Sequence, residues 1–133
     1  MYRSETVSVA VERDAAALYE AFWRPERFPS WASGLSQAAL RPGEDGWQAD
    51  GPEGPITIRF CDHNPFGVMD HWVDLGDGRV VYVPMRIVAN GTGSTVTLTL
   101  FQYPDMGDEI FARDLDWVRR DLETLKSLAE HGG

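Results

Sequence analysis

Residues Glu5 to Val11 alternate strictly, with Val7, Val9 and Val11 on one side and Ser8, Ala10 and Glu12 on the other. A period of two is the pattern of a half-buried strand. Asp14 then offers an N-cap to Ala15-Ala16-Ala17-Leu18-Tyr19-Glu20-Ala21-Phe22-Trp23, whose helix formers place Leu18, Ala21 and Phe22 on one stripe. Pro25 ends that helix. The aromatic stretch Pro25 to Trp31 is broken by proline and has room for one further helical turn, closing at Gly34.

From Ser36 to Gln102 the pattern becomes a series of alternating runs separated by Gly, Pro, Asn and Asp clusters, which predicts an antiparallel meander. Two short strands are expected around Gly46, between Leu35 and Asp50. Four clearer runs follow: Ile56 to His63, Val68 to Leu75, Val80 to Val88 and Ser94 to Gln102. Their connections are Asn64-Pro65-Phe66-Gly67, Gly76-Asp77-Gly78 and Asn90-Gly91-Thr92-Gly93. A four-residue loop at Asn64 to Gly67 pairs Asp62 with Met69 and Phe60 with His71. A three-residue loop at Gly76 to Gly78 pairs Val73 with Val81 and His71 with Val83, which keeps the apolar sets on one face. The other face carries Thr57, Arg59, Asp70, Trp72, Asp74, Tyr82 and Arg86, with Arg59 opposite Trp72 as a surface cation–π pair.

After Tyr103-Pro104 the period changes to 3.6: Phe111, Leu115, Val118, Leu122, Leu125 and Ala129 recur at spacings of 4, 3, 4, 3 and 4. The spacing predicts a helix from about Asp108 to His131, roughly 36 Å long. One helix about 10 Å wide cannot fill a strongly twisted sheet, so a cavity is expected between them.

The strand Ser8-Val9-Ala10-Val11, the segment Asp14 to Phe22 and Pro25-Glu26-Arg27-Phe28-Pro29-Ser30-Trp31 resemble the START-like, or Bet v 1-like, superfamily. The chain is most similar to its bacterial polyketide cyclase/dehydrase branch. The resemblance spans nearly the whole chain, because the meander and the closing helix Phe111 to Ala129 fall in the same order. It implies one domain over residues 1–133, of α+β class: a helix-grip fold with a curved antiparallel sheet of six to seven strands wrapped around a long C-terminal helix, and two short helices after the first strand. It also implies a pocket for an apolar or aromatic small molecule, lipid or polyketide-like, with its entrance at the first half of the last helix. Members range from lipid and hormone binders to aromatic polyketide cyclases, and no motif in this chain selects one of them.

The residues expected to line such a pocket are Phe60, Met69, His71, Val83, Met85, Leu98, Phe111 and Leu115. Among them His71 carries chemistry: an inward imidazole can orient a ligand hydroxyl or carbonyl, or act as an acid or base near neutral pH. The first reading is therefore a binder of an apolar small molecule, and the alternative is a cyclase/dehydratase-type enzyme with His71 as acid/base. A third is a protein-interaction module anchored by Trp72, Tyr82 and Trp117, the last lying off the apolar stripe and so expected to be exposed. Asp62, inward and diagonal to His71 in this register, is expected to hold its turn. Asp62-His63 and Asp70-His71 invite a metal site, but the strand period puts His63 and His71 on opposite faces, so no metal is expected. Gly76-Asp77-Gly78 and Gly91-Thr92-Gly93-Ser94 lack the lysine and the strand-to-helix setting of a phosphate loop, and no cofactor is expected.

Charge narrows the partners. Lys and Arg number 12 against 21 Asp and Glu, a net of −9 over 133 residues, so nucleic acid and anionic membrane surfaces are repelled. No apolar run approaches the roughly 20 residues of a membrane span, and membrane insertion is not expected. With the single Cys61 and an opening Met1-Tyr2-Arg3-Ser4-Glu5 that lacks an apolar export segment, a reducing cytoplasm is the expected setting. A homodimer is left open.

Overall fold

β1 (Arg3–Val11) pairs antiparallel along its whole length with β8 (Gly93–Gln102), from Arg3 opposite Gln102 to Val11 opposite Ser94. In the computed structural model, which describes residues 1–32, 40–51 and 54–132, β8 also pairs with β7 (Met85–Asn90), giving a sheet of order β1-β8-β7. A second antiparallel sheet runs in chain order through β2 (Arg41–Gly43), β3 (Gly46–Gly51), β4 (Gly54–Phe60), β5 (His71–Asp74) and β6 (Val80–Val83). Between β1 and the meander stand α1 (Ala15–Phe22), a 3-10 turn (Pro25–Arg27) and α2 (Phe28–Trp31). Asp14 caps α1 as its sequence predicts, accepting from the Ala17 N–H at 3.1 Å. The chain closes with α3 (Asp108–Glu130), which packs against β1 and β8 and touches α2. This is the helix-grip arrangement of the α+β class: curved antiparallel strands, short helices after the first strand, and one long C-terminal helix.

The predicted register holds at the centre. Phe60 lies opposite His71, Arg59 opposite Trp72, Val73 opposite Val81 and His71 opposite Val83. Leu75 N–H donates to the Arg79 carbonyl at 3.0 Å, closing the three-residue loop over Gly76, Asp77 and Gly78, whose two glycines adopt φ of +85° and +88°. Arg59 and Trp72 make no cation–π contact among the described residues; Trp72 instead stacks on Tyr82, ring centroids 5.4 Å apart.

Four expectations are corrected. The run Val80 to Val88 is two strands in two sheets, because Pro84 has no N–H to give a ladder; its carbonyl still accepts from Thr99 N–H at 3.0 Å, and the sheets meet at this bend. Val68 to Leu75 is also not one strand: the ladder with β4 covers His71–Asp74 and ends with Cys61 N–H donating to the Asp70 carbonyl at 3.0 Å, whereas Val68 bridges Arg86 and Met69 N–H donates to the Met85 carbonyl at 2.9 Å. Gly67 permits that crossing, with φ of +71° and the Ile87 carbonyl oxygen 2.2 Å from where a Cβ would stand. The Asp62–Met69 pair therefore never forms, and Asp62 is exposed. Asn64 holds the turn in its place: its Oδ1 accepts from Phe66 and Val68 N–H at 3.0 and 3.1 Å, and its Nδ2 donates to the carbonyls of Asp62 and Val68. Of the two short strands expected around Gly46, β2 and β3 are the described pair. Residues 35–39 of that expectation, and Gly34, lie outside the described residues.

Candidate functional site

The apolar stripe of α3 determines where the interior stays open. Phe111, Leu115, Leu122, Leu125 and Ala129 are buried, and the helix rests on the β1–β8 side of the grip. It does not cover the inner faces of β4, β5 and β6, which α2 meets through Phe28 at Phe60 and His71. A cavity of about 490 Å³ occupies that space. Its apolar walls come from α2 (Phe28, Trp31), β4 (Ile56), β5 (His71, Val73), β6 (Val83) and β8 (Leu98). Exposed Pro55, Gly78, Arg79, Val80 and Asp105 mark the mouth.

Of the residues the sequence singles out, His71, Val83 and Leu98 lie on the cavity wall. Phe60 and Met69 flank His71 around a separate void of about 10 Å³, the space of a single water. Met85 is fully buried in the core. Phe111 and Leu115 are the inner stripe of α3 but do not reach the cavity; Phe111 carries the Arg3 guanidinium over its ring at 5.0 Å. The helix face that does reach it is the neighbouring one, with Ile110, Arg113, Asp114, Trp117, Val118 and Asp121. Trp117 is thus half-buried on the cavity wall and not an exposed anchor, with the Arg113 guanidinium 4.6 Å from its ring centroid. A sequence signal for this existed. A covered helical stripe spans 100° or more, and Ile110 and Trp117 widen the stripe on one side only.

His71 is 3% exposed. Its Nδ1 lies 3.2 Å from the Met69 carbonyl. A carbonyl only accepts, so Nδ1 carries the proton and Nε2 presents a lone pair. Phe28 and Phe60 pack around the ring at centroid distances of 5.3 and 5.9 Å. Burial in these apolar surroundings lowers its pKa to about 4, while the Met69 carbonyl and the Asp70 charge pull weakly the other way. At neutral pH the ring is uncharged, donating from Nδ1 to the Met69 carbonyl and offering Nε2 as an acceptor.

His63 stands apart from this. It is exposed, its Nε2 is 2.7 Å from Glu20 Oε1, and its ring lies 4.5 Å from that of Trp23. Among the described residues no group of three or more His, Cys, Asp or Glu side chains is placed to hold a metal ion. No helix among them is long and apolar enough to cross a membrane.

One buried polar cluster carries no signal in the alternation pattern. Asp70, assigned by alternation to the polar face, is 7% exposed at the junction of the two sheets. Its carboxylate accepts from the Tyr82 hydroxyl at 2.6 Å and from Met85 N–H at 2.9 Å, and it pairs with the Arg86 guanidinium. Accepting that proton, Asp70 holds the Tyr82 hydroxyl above its ordinary pKa. Tyr82 also stacks on Trp72 and Phe101 on the outer side of the strands, so Trp72 and Tyr82 share no face with Trp117.

The architecture recurs in solved structures. A START superfamily protein from Mycobacterium smegmatis superposes with a TM-score of 0.69 at 14% identity, covering 98% of this chain and 99% of that one. This is the START-like, Bet v 1-like fold. The same fold carries Ara h 8.0201, with a TM-score of 0.68 at 13% identity over 97% of this chain and 98% of that one. DynU16, from the dynemicin biosynthetic locus, matches with a TM-score of 0.68 at 21% identity; 97% of this chain covers 48% of it. No family model matches this chain, and no curated protein does. At these identities the likeness is one of fold.

Proposed function

We propose that this protein binds an apolar or aromatic small molecule, lipid or polyketide-like, in the cavity between β4–β6, β8 and α3. The observation that carries the reading is the open volume of about 490 Å³, lined by Ile56, Val73, Val83 and Leu98 and well within the 300–1,000 Å³ typical of small-molecule sites. The START-like fold supports it, since a long helix gripped by a curved sheet leaves such a space by construction. Native mass spectrometry of freshly purified protein is expected to show a co-purified apolar metabolite. Leu98→Trp, which pushes an indole into the cavity from β8, is expected to weaken binding of the neutral dye Nile red more than tenfold, roughly the loss of one large apolar contact. It should leave the unfolding midpoint unchanged or raised, because the added ring fills space that was open. A folded Leu98→Trp protein that binds the dye as tightly as wild type would end the reading.

The mouth supports a second expectation. Arg79, beside the Gly76–Gly78 loop, pairs with Asp77 and reaches Asp105, in the turn before α3, at 2.8 Å. Both Arg79 and Asp105 line the cavity, so the pair ties two of its rims together. Arg79→Ala is expected to speed both association and dissociation of the dye a few-fold in stopped-flow traces while leaving Kd nearly constant. Raising the salt concentration should have the same effect on wild type, because the pair is exposed and screened.

A further inference from the structure

The floor of the cavity carries a hydrogen-bond acceptor without a cation beside it, and this restricts what can sit there. Resting on the binding reading above, we propose that the cavity takes an uncharged, hydroxyl-bearing apolar molecule whose hydroxyl donates to Nε2 of His71, and that it turns away carboxylate-headed amphiphiles. The ring's tautomer is set by the Met69 carbonyl on Nδ1, and no hydrogen bond to Nε2 forms among the described residues. Beside His71 on the cavity wall stand Phe28, Val73 and Val83. A carboxylate placed there would set its own lone pairs against that of Nε2, with no positive charge among the described residues beside His71 to offset its desolvation. A hydroxyl donates, and its oxygen can accept as well. On the same wall Trp31, 2% exposed, has an indole N–H without a partner among the described residues.

The charges higher in the cavity agree. Among the described residues its lining includes two cations, Arg79 and Arg113, and three anions, Asp105, Asp114 and Asp121, so positive charge is not in excess there. Arg79 is engaged by Asp77 and Asp105, and Arg113 lies 3.1 Å from Asp114 while covering Trp117. An anionic head group would meet acidic residues at the mouth as well as an acceptor at the floor. The whole chain, at −9, adds to that repulsion.

The test is displacement of Nile red from the full chain at neutral pH by three compounds of one size: 2-naphthol, naphthalene and 2-naphthoate. Naphthol is expected to bind about tenfold more tightly than naphthalene, and naphthoate at least about tenfold more weakly than naphthol, the effect of one hydrogen bond made or opposed. In His71→Leu the ratio of naphthol to naphthalene affinity should fall to about one. His71→Gln, whose amide oxygen still accepts, should keep part of it. The proposal is overturned if naphthalene equals naphthol, if naphthoate binds best, or if the preference survives His71→Leu; should that variant not fold, the wild-type series decides. These results leave the cavity reading standing, because the dye and the hydrocarbon still bind. If neither the dye nor any of the three binds, the cavity reading falls and the preference with it.

Discussion

Lowering the pH from 7 to 4 is expected to destabilise the folded chain by about 3 kcal/mol through His71 alone, from a folded pKa of about 4 against 6.5 in the unfolded chain. Between those values the unfolded chain binds a proton that the buried ring refuses, so stability rises with pH there. The contribution is complete above pH 6.5, falls as the pH drops, and levels off below the folded pKa. The cause is burial: charging the imidazole among Phe28, Phe60 and Val73 removes a full charge from water, and one backbone carbonyl does not compensate. Denaturant titrations at pH 7, 5.5 and 4 would check this, comparing wild type with His71→Leu. The readout is the difference in pH slope, which carboxylate titrations common to both proteins do not affect. Equal slopes would show that the ring is solvated in the folded state.

Asp70→Ala is expected to cost about 2 kcal/mol of stability, chiefly by leaving hydrogen-bond donors without an acceptor, since the Arg86 side chain is 40% exposed and water screens its charge. The loss has three parts at one place. Met85 N–H, buried beside β8, loses its acceptor at 2.9 Å; the Tyr82 hydroxyl loses its own at 2.6 Å; and the Arg86 guanidinium keeps its charge without a counter-ion. Because these partners lie on β6 and β7, on either side of Pro84, the damage should fall on the bend that joins the two sheets. Hydrogen exchange would locate it, with protection lost first at Met85 and at Thr99, whose N–H is bonded to the Pro84 carbonyl. Asp70→Asn should cost less, since its amide oxygen can still accept from Met85 and Tyr82. A wild-type midpoint for Asp70→Ala would mean that the cluster is ornamental.

These two residues also show what could be read from sequence. His71 was legible, because it interrupts an alternating apolar run and because the three-residue loop at Gly76–Gly78 sets the register that turns it inward. Asp70 was not. Alternation assigns it to the polar face, and it is covered there by Tyr82, Met85 and Arg86 where the segment before it crosses to β7, a meeting of elements separated in the chain. The strand break at Pro84 carried a local signal, a residue with no N–H inside an otherwise continuous run. The expected single strand passes over it because Val83, Met85 and Ile87 keep the same inward phase on both sides of the bend.

The pocket residues divide along the same line. Periodicity alone determined the long α3, the order of the elements, the central register, and the conclusion that one helix leaves part of the sheet uncovered; each depends on contacts between near neighbours in the chain or on the side chain's own polarity. Tertiary packing alone decided where the opening lies. An amphipathic pattern states which flank of a helix is apolar but not which strands it will meet. Once Phe111 and Leu115 are committed to the β1–β8 side of the grip, the adjoining flank with Trp117, Arg113 and Asp121 is turned over the cavity.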